Sequence, residues 1–278
     1  MSTCYLNGAY LPLTEARISA LDRGFIFGDA IYEVIPVYDG QLFAVDAHLE
    51  RLRQSLTSMG FDFQPDSDQL LGVITELVRL NAEATTIYLQ ISRGVAARQH
   101  HPPAGLEPTI FSYADLTARP QSRVDAKAIT LDDFRWSRCD AKTTALIANV
   151  VMRQQAARAN VNEAILIRDG CVTEGAATNV FVVFDQTVIT PPLSEFTLGG
   201  ITRQCIIELI TNLDRYPLQE AVVTEELLRK ADEVWLSSSS RELSAVSEID
   251  GQSVGNGDYP IADDVYKNFQ QALARWLS

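Results

Sequence analysis

The 278-residue chain reads as an α+β protein of two domains, and three observations carry that reading. Strand-prone runs are joined by tight two-residue turns more often than by helical crossovers, which favours antiparallel or mixed sheets. Stretches with apolar residues at helical spacing stand between them. Apolar periodicity lapses at "LTARPQSRV" (116–124), whose proline marks a linker between a smaller domain, 1–118, and a larger one, 119–278.

"CYLNGAYLP" predicts a hairpin around Asn7-Gly8, and "YEVIPVYDGQLFAV" another around Asp39-Gly40. Asp46 then caps a helix with Leu49, Leu52, Leu56 and Met59 on one face. "DSDQLLGVITELVRLN" is a second amphipathic helix. "TTIYLQISRG" alternates Ile87, Leu89 and Ile91, the period of a strand. After the linker, "AKAITLDDFRW" is a strand, and "CDAKTTALIANVV" (139–151) sets Lys142 just ahead of a run that reads as a buried helix. "EAILIRDGCVTEG" turns at Asp169-Gly170, and "TNVFVVFDQTVIT" forms another hairpin. "GGITRQCIIELITNL" is a helix opened by two glycines, and "ADEVWLSSSSREL" a strand running into a serine loop. The stretch from "IADDVYKNF" to "RWLS" is an amphipathic helix with Val265, Phe269, Leu273 and Trp276 on one side.

A hydrophobic content of 46% is enough for two cores. The net charge of −13 comes without any basic stripe, which excludes a nucleic-acid binder. Cys4, Cys139, Cys171 and Cys205 form no C-x-x-C pair and read as free thiols of a reducing compartment. With His48, His100 and His101 as its histidines, the chain is not expected to hold a metal. No signal-peptide pattern opens the sequence and no apolar run is long enough to span a bilayer, so a soluble cytoplasmic protein is expected.

Four features carry candidate chemistry. The chain has four lysines, Lys127, Lys142, Lys230 and Lys267, and Lys142 stands where a helix macrodipole would disfavour a cation. A lysine held near apolar groups and positive dipoles loses proton affinity, and a neutral amine condenses with an aldehyde; the alternative is a solvated lysine at a helix start. "TLGGITR" (197–203) lets backbone approach an anion at a helix N-terminus, with Thr202 adding a hydroxyl, unless it is an ordinary turn. "SSSS" (237–240) offers donors to phosphate oxygens, or is a polar turn. In "RGVAARQHHPP" (93–103), Arg98 and His100 lie two apart and would point the same way in an extended loop, as a carboxylate clamp or as a solvated basic loop. Together, an imine-forming lysine, two phosphate devices and a carboxylate clamp suggest a phosphorylated aldehyde cofactor and an amino-acid substrate.

Beyond these features, "LDRGFIFGDAIYEVIPVYDG", "HLERL", "RGVAARQHHPP", "RWSRCDAK", "VTEGAATNVF", "LGGITR" and "SSSSREL" occur in an order and spacing that resembles the fold-type IV pyridoxal-phosphate transaminases, most closely their D-amino acid transaminase branch. The resemblance spans nearly the whole chain. It implies a two-domain fold with a smaller N-terminal α/β domain and a larger C-terminal mixed-sheet, pseudo-barrel domain. It implies pyridoxal 5'-phosphate as cofactor, held by Lys142 as a Schiff base. Glu174 would face the pyridine nitrogen and Leu198 would pack on the ring. Arg51, Ile201, Thr202, Ser238 and Ser239 would bind the phosphate. Tyr32, Arg98 and His100 would hold the substrate α-carboxylate, the last two across the interface of a homodimer. Substrates would be D-amino acids and 2-oxo acids, exchanged in a ping-pong cycle. The chain departs from the family pattern at Ala176 and Ala177, where serines are common, with Thr178 following. Alternatives within the fold are a branched-chain L-amino acid transaminase, an (R)-amine transaminase and an aminodeoxychorismate lyase. A non-catalytic cofactor binder is the alternative outside it.

Overall fold

The computed structural model describes residues 2–117 and 122–278, and the chain falls into two compact units. The expected boundary at 118/119 lies outside the described residues, as does part of the expected linker. The first unit takes the described residues up to 117 together with Ala141–Leu146 and Arg275–Ser278. Both added segments come from the stretch that sequence patterning assigns to the C-terminal domain.

In the first unit, β1 (Thr3–Leu6), β2 (Ala9–Pro12), β3 (Ala30–Tyr38), β4 (Gln41–Leu42), β5 (Thr86–Ser92) and β6 (Thr109–Asp115) form an antiparallel sheet in the order β2-β1-β6-β5-β3-β4. The Asn7-Gly8 and Asp39-Gly40 turns have φ of 45° and 96°, and of 49° and 78°. Positive φ at both central residues matches the strand twist, and these residue types reach it at least strain. The short helix α1 (Arg23–Phe27) starts at Asp22, whose carboxylate accepts from the Gly24 N–H at 2.8 Å. Helices α2 (Val45–Ser58) and α3 (Ser67–Leu80) lay Leu49, Leu52, Leu56, Leu70, Ile74 and Leu77 on Ile31, Ile35, Ile87 and Leu89. Burying each such side chain contributes roughly 1.5–3 kcal/mol. One detail differs from expectation. Ala44 caps α2 at φ 48°, and Asp46 stands in the first turn, where its charge still complements the helix dipole.

The second unit holds 122–140 and 147–274. Strands β7 (Ala126–Asp132), β8 (Glu163–Arg168), β9 (Cys171–Gly175), β10 (Asn179–Phe184), β11 (Thr187–Thr190), β12 (Leu218–Glu220), β13 (Glu233–Ser238) and β14 (Glu242–Ile249) form a mixed sheet in the order β12-β11-β10-β13-β14-β7-β8-β9, and β15 (Gln252–Ser253) pairs with β14. The β7/β8, β7/β14 and β11/β12 pairs are parallel. The sheet curls so that β9 comes back against β10, the mixed, curled architecture expected of the larger domain. Its helices are α4 (Ile147–Arg158), α5 (Ile201–Leu213), α6 (Glu225–Lys230) and α7 (Pro260–Ala272). Val180, Val182, Val234, Leu236 and Val246 pack with Leu228 of α6. Buried Glu233 accepts from the Ile261 and Ala262 N–H groups, both at 2.9 Å, and closes the N-terminus of α7.

Two expectations are corrected here, and one turn is added to them. α4 is not a buried helix: Met152 and Ala156 are buried, while Ile147 and Val150 are 76% and 58% exposed. α7 stops at Ala272, and Trp276 instead packs on Phe43 of the first unit at 5.8 Å. Asp250-Gly251, with φ of 52° and 77°, makes a further two-residue hairpin between β14 and β15 that sequence patterning did not mark.

Candidate functional site

In the first unit, Ala141–Leu146 runs as an extended segment beside β3. The Tyr32 N–H donates to the Lys142 carbonyl at 3.0 Å, and the Thr144 N–H to the Ala30 carbonyl at 2.9 Å. The Lys142 N–H donates to Ser55 Oγ on α2 at 3.2 Å. Lys142 therefore sits against a strand, not at a helix start, since α4 begins only at Ile147. The dipole argument for its reactivity falls away, and what remains is its half-buried position and its neighbours. Its Nζ lies 4.3 Å from the centre of the Tyr32 ring, and among the described residues no carboxylate pairs with it. A ring face at that distance stabilises an ammonium without neutralising it.

One face of α2 presents His48, Arg51 and Ser55, at helical spacing, to this segment. Glu33 of β3, fully buried, accepts from Arg51 Nε at 2.8 Å, Arg51 Nη2 at 2.6 Å and His48 Nδ1 at 2.7 Å. Burial alone would raise the Glu33 carboxyl, but Arg51 and His48 more than offset it and hold it at about 2. Burial lowers His48, helped by the positive charges of Arg51 and Lys142, so its neutral ring donates from Nδ1 to Glu33. Its Nε2 is buried without a partner. Glu33 thus fixes one edge of the Arg51 guanidinium.

Arg98 and His100 meet on a different side chain of the same unit. The Phe27 ring lies 5.5 Å from the Arg98 guanidinium and 5.9 Å from the His100 ring. Tyr32 is found with Lys142 and stacks on Tyr88 at 5.6 Å.

In the second unit, Glu174 of β9 is buried. It accepts from Arg135 Nη1 at close range, from the Leu198 N–H at 2.9 Å and from Asn179 Nδ2 at 3.3 Å. Arg135, also buried, grips Asp133 through Nε and Nη2, both at 2.9 Å. Burial pushes the Glu174 carboxyl up to about 7, against the opposing pull of Arg135. Asn179 ties the surroundings together. Its Nδ2 also donates to the Leu198 carbonyl at 2.8 Å, and a Cβ on Gly200 would lie 2.0 Å from its Oδ1. Residue 200 must therefore be glycine for the loop to close over Asn179. Gly200 caps α5 with no side-chain partner, leaving the N–H groups of Ile201 and Thr202 at an uncapped helix start. Asn179 pairs across the sheet with Ser237, so the turn carrying Ser238 and Ser239 lies at the same end of β10 and β13. Ser237 Oγ is buried without a partner, and Ser238 Oγ accepts from the Arg241 N–H at 3.3 Å.

Glu33, His48, Asp133, Arg135 and Asn179 were not singled out from the sequence. The available signal was a charge inside an otherwise apolar strand, as in "YEVIPV", and the arginines of "RWSR". Ala176, where the family pattern has serine, is buried; its N–H donates to the Ala164 carbonyl and its carbonyl accepts from Asn149 Nδ2, so main chain does the holding.

The family profile described as amino-transferase class IV matches residues 30–249. A D-alanine aminotransferase of Staphylococcus haemolyticus is 38% identical over 278 residues, covering 98% of each chain. One of Bacillus licheniformis is 39% identical over 270 residues, covering 96% of this chain and 94% of its own. Among solved structures, the branched-chain amino acid aminotransferase of Escherichia coli has a TM-score of 0.88 at 26% identity, covering 100% of this chain and 98% of its own. The branched-chain amino acid aminotransferase of T.th., solved with pyridoxamine 5'-phosphate, has a TM-score of 0.90 at 25% identity and the same coverage. The chain belongs to the class IV aminotransferases. It is accordingly a transferase whose cofactor is pyridoxal 5'-phosphate. The residues present fit that group: a lysine with no acidic partner among the described residues, a buried carboxyl raised to about 7 for a ring nitrogen, and an uncapped helix start with an orphaned serine hydroxyl for a phosphate. Among the described residues, no helix is long and apolar enough to cross a membrane.

Proposed function

We propose that the chain is a D-amino acid transaminase, which moves amino groups between D-amino acids such as D-alanine or D-glutamate and 2-oxo acids by a ping-pong cycle. The observation that carries this reading is the identity of 38–39% to D-alanine aminotransferases over nearly the whole chain. The rival, a branched-chain L-amino acid transaminase, has the fold likeness in its favour, at 25–26% identity. The enzyme works as a cytoplasmic homodimer, and the exposed Ile18, Leu21, Phe25 and Val95 of the first unit support a partner copy that covers them.

When bound, the cofactor supplies an aldehyde carbon for amino exchange and a conjugated ring that takes up an electron pair. Lys142 is assigned as the residue that bonds to it and as the base. Nζ accepts the substrate Cα proton and later returns it. Hydrogen bonds at the Lys142 N–H, the Lys142 carbonyl and the Thr144 N–H hold the backbone, so only the side chain swings. The Tyr32 ring steadies the amine while it is protonated. Glu174 would share a proton with the ring nitrogen. Leu198 would pack on the ring. Arg51, oriented by Glu33, and Ile201, Thr202, Ser238 and Ser239 would be the residues to hold its phosphate. Tyr32, Arg98 and His100 hold the substrate carboxylate, and the side on which they hold it selects the D enantiomer.

Borohydride reduction of the holoenzyme followed by peptide mapping should tag the peptide that carries Lys142. D-alanine, and not L-leucine, should bleach the cofactor's visible band. A tag on another lysine would remove the base from this scheme, and bleaching by L-leucine alone would favour the rival.

A further inference from the structure

We propose that Arg23 is the positioning residue that holds the Arg98–His100 segment in shape to receive a substrate carboxylate. The proposal rests on the assignment of Arg98 and His100 to that carboxylate. "LDRG" lies in a stretch that marks the family, yet the functional reading gives it no task.

The geometry supplies one. Asp22 accepts from the Gly24 N–H at 2.8 Å, Ser92 Oγ at 2.9 Å and Thr109 Oγ1 at 2.7 Å, which nails the start of α1 to β5 and β6. Around it the chain pairs with the beginning of the clamp loop. The Arg23 N–H donates to the Gly94 carbonyl at 2.9 Å, and the Ala96 N–H to the Leu21 carbonyl at 3.3 Å. Arg23 is only 5% exposed, and its guanidinium reaches the far part of the same loop. Nη1 donates to the Gln99 carbonyl at 2.8 Å and Nη2 to the His100 carbonyl at 3.1 Å. Nε donates to Asp29 Oδ2 at 2.7 Å. Asp29 is braced in turn by Arg93 Nε at 3.0 Å, and Arg93 closes on the Gly60 and Met59 carbonyls at 2.7 and 3.0 Å. The Arg23 guanidinium also lies 4.9 Å from the Phe27 ring, the same ring that receives Arg98 and His100.

One side chain thus fixes the two successive peptide carbonyls that flank the His100 Cα, and shares the ring on which both clamp side chains rest. A rigid fork with three acceptors in three directions does this; a lysine ammonium lacks the reach and the plane. Ordering a loop before the ligand arrives removes that cost from binding. The effect should therefore fall on affinity for the carboxylate, and not on the proton transfer.

The test compares Arg23→Ala and Arg23→Lys with Arg98→Ala in the full-length holoenzyme. Arg23→Ala should raise KM for D-alanine roughly tenfold or more, a scale set by sub-ångström misplacement, with kcat little changed. Arg23→Lys should fall between, and added guanidinium chloride should restore part of the Arg23→Ala loss. Half-reactions with D-alaninol, which lacks the carboxylate, should proceed at the wild-type rate. In cofactor-free protein, amide hydrogen exchange over residues 95–101 should quicken in both variants. Unchanged KM and exchange in the Arg23 variants, with Arg98→Ala impaired, would overturn the inference alone. Equal losses on D-alanine and D-alaninol would overturn it as well, since they report general damage. An unimpaired Arg98→Ala would instead remove the clamp reading on which it stands. Should Arg23→Ala fail to fold, Arg23→Lys, which keeps a charge beside Asp29, carries the same comparison.

Discussion

Replacing Arg135 by methionine tests the electrostatics around Glu174 most directly. Arg135 is 7% exposed and stands between two buried carboxylates, Asp133 at 7% and Glu174 at 6%. Methionine would fill much of the space but leave both acids without their shared cation; Arg168, 3.3 Å from Asp133, would remain on one side. Removing one partner of a buried ion pair costs about 3–5 kcal/mol. At about 2–4 °C per kcal/mol, the melting temperature of cofactor-free protein should drop by roughly 6–20 °C. The loss carries a pH signature. Burial has already raised Glu174 to about 7 against the pull of Arg135, so without Arg135 it rises further. Asp133, which burial raises and Arg135 brings below its ordinary value, rises too. A carboxyl whose folded value lies above its unfolded one stabilises the fold at low pH and loses that contribution as pH climbs through the folded value. The destabilisation should therefore be greatest near about pH 9 and shrink toward about pH 5 as Glu174 takes up its proton. The acidic limb of the D-alanine half-reaction should shift upward for the same reason, because Glu174 must be ionised to share the ring proton. Scanning calorimetry at about pH 5, 7 and 9 decides the matter. A drop under about 3 °C, or one equal at all three pH values, would refute the reasoning.

Gly200→Ala should push Asn179 away from Glu174 and the Leu198 carbonyl, since the new Cβ would meet Asn179 Oδ1 at 2.0 Å. We expect a destabilisation of about 1–3 kcal/mol and weaker cofactor binding by equilibrium dialysis; wild-type affinity would count against Asn179 as the organiser of that loop. Glu33 should make the first unit acid-labile. Its folded value of about 2 against an ordinary 4.5 corresponds to about 3 kcal/mol, fully present above about pH 4.5 and lost as pH falls toward 2. Urea midpoints of the wild type should fall through that window, and those of Glu33→Gln should fall less steeply; parallel curves would show that the carboxylate is not the source.

The elements most legible in the sequence are those set by neighbours along the chain. Asn7-Gly8, Asp39-Gly40 and Asp169-Gly170 all form two-residue turns with positive φ, because that geometry is a property of the dipeptide itself. Ile87, Leu89 and Ile91 lie on the buried face as their alternation requires. What depends on distant partners was hidden. The segment around Lys142 looks like the approach to a helix, but hydrogen bonds to a strand more than a hundred residues earlier decide its place. α4 looks buried because it is apolar, and composition does not tell core from a face awaiting a partner. Arg135 and Asn179 read as ordinary polar residues; only the fold brings Glu174 between them. The resemblance to the transaminases marks the residues of the family motif, and only the fold brings the supports beneath them into place.

Residues 276–278 close the free edge of β4. The Leu42 N–H donates to the Ser278 carbonyl at 2.9 Å, the Ser278 N–H returns the bond to the Leu42 carbonyl at 3.0 Å, and the Ala44 N–H donates to the Trp276 carbonyl. A sheet whose strands all lie before the linker is therefore finished by a segment synthesised long after them. Until residue 278 has left the ribosome, the nascent N-terminal half carries an uncovered ribbon of backbone donors and acceptors, open to pairing with other chains. A chain cut a few residues short of Trp276 would be deprived of its edge cover.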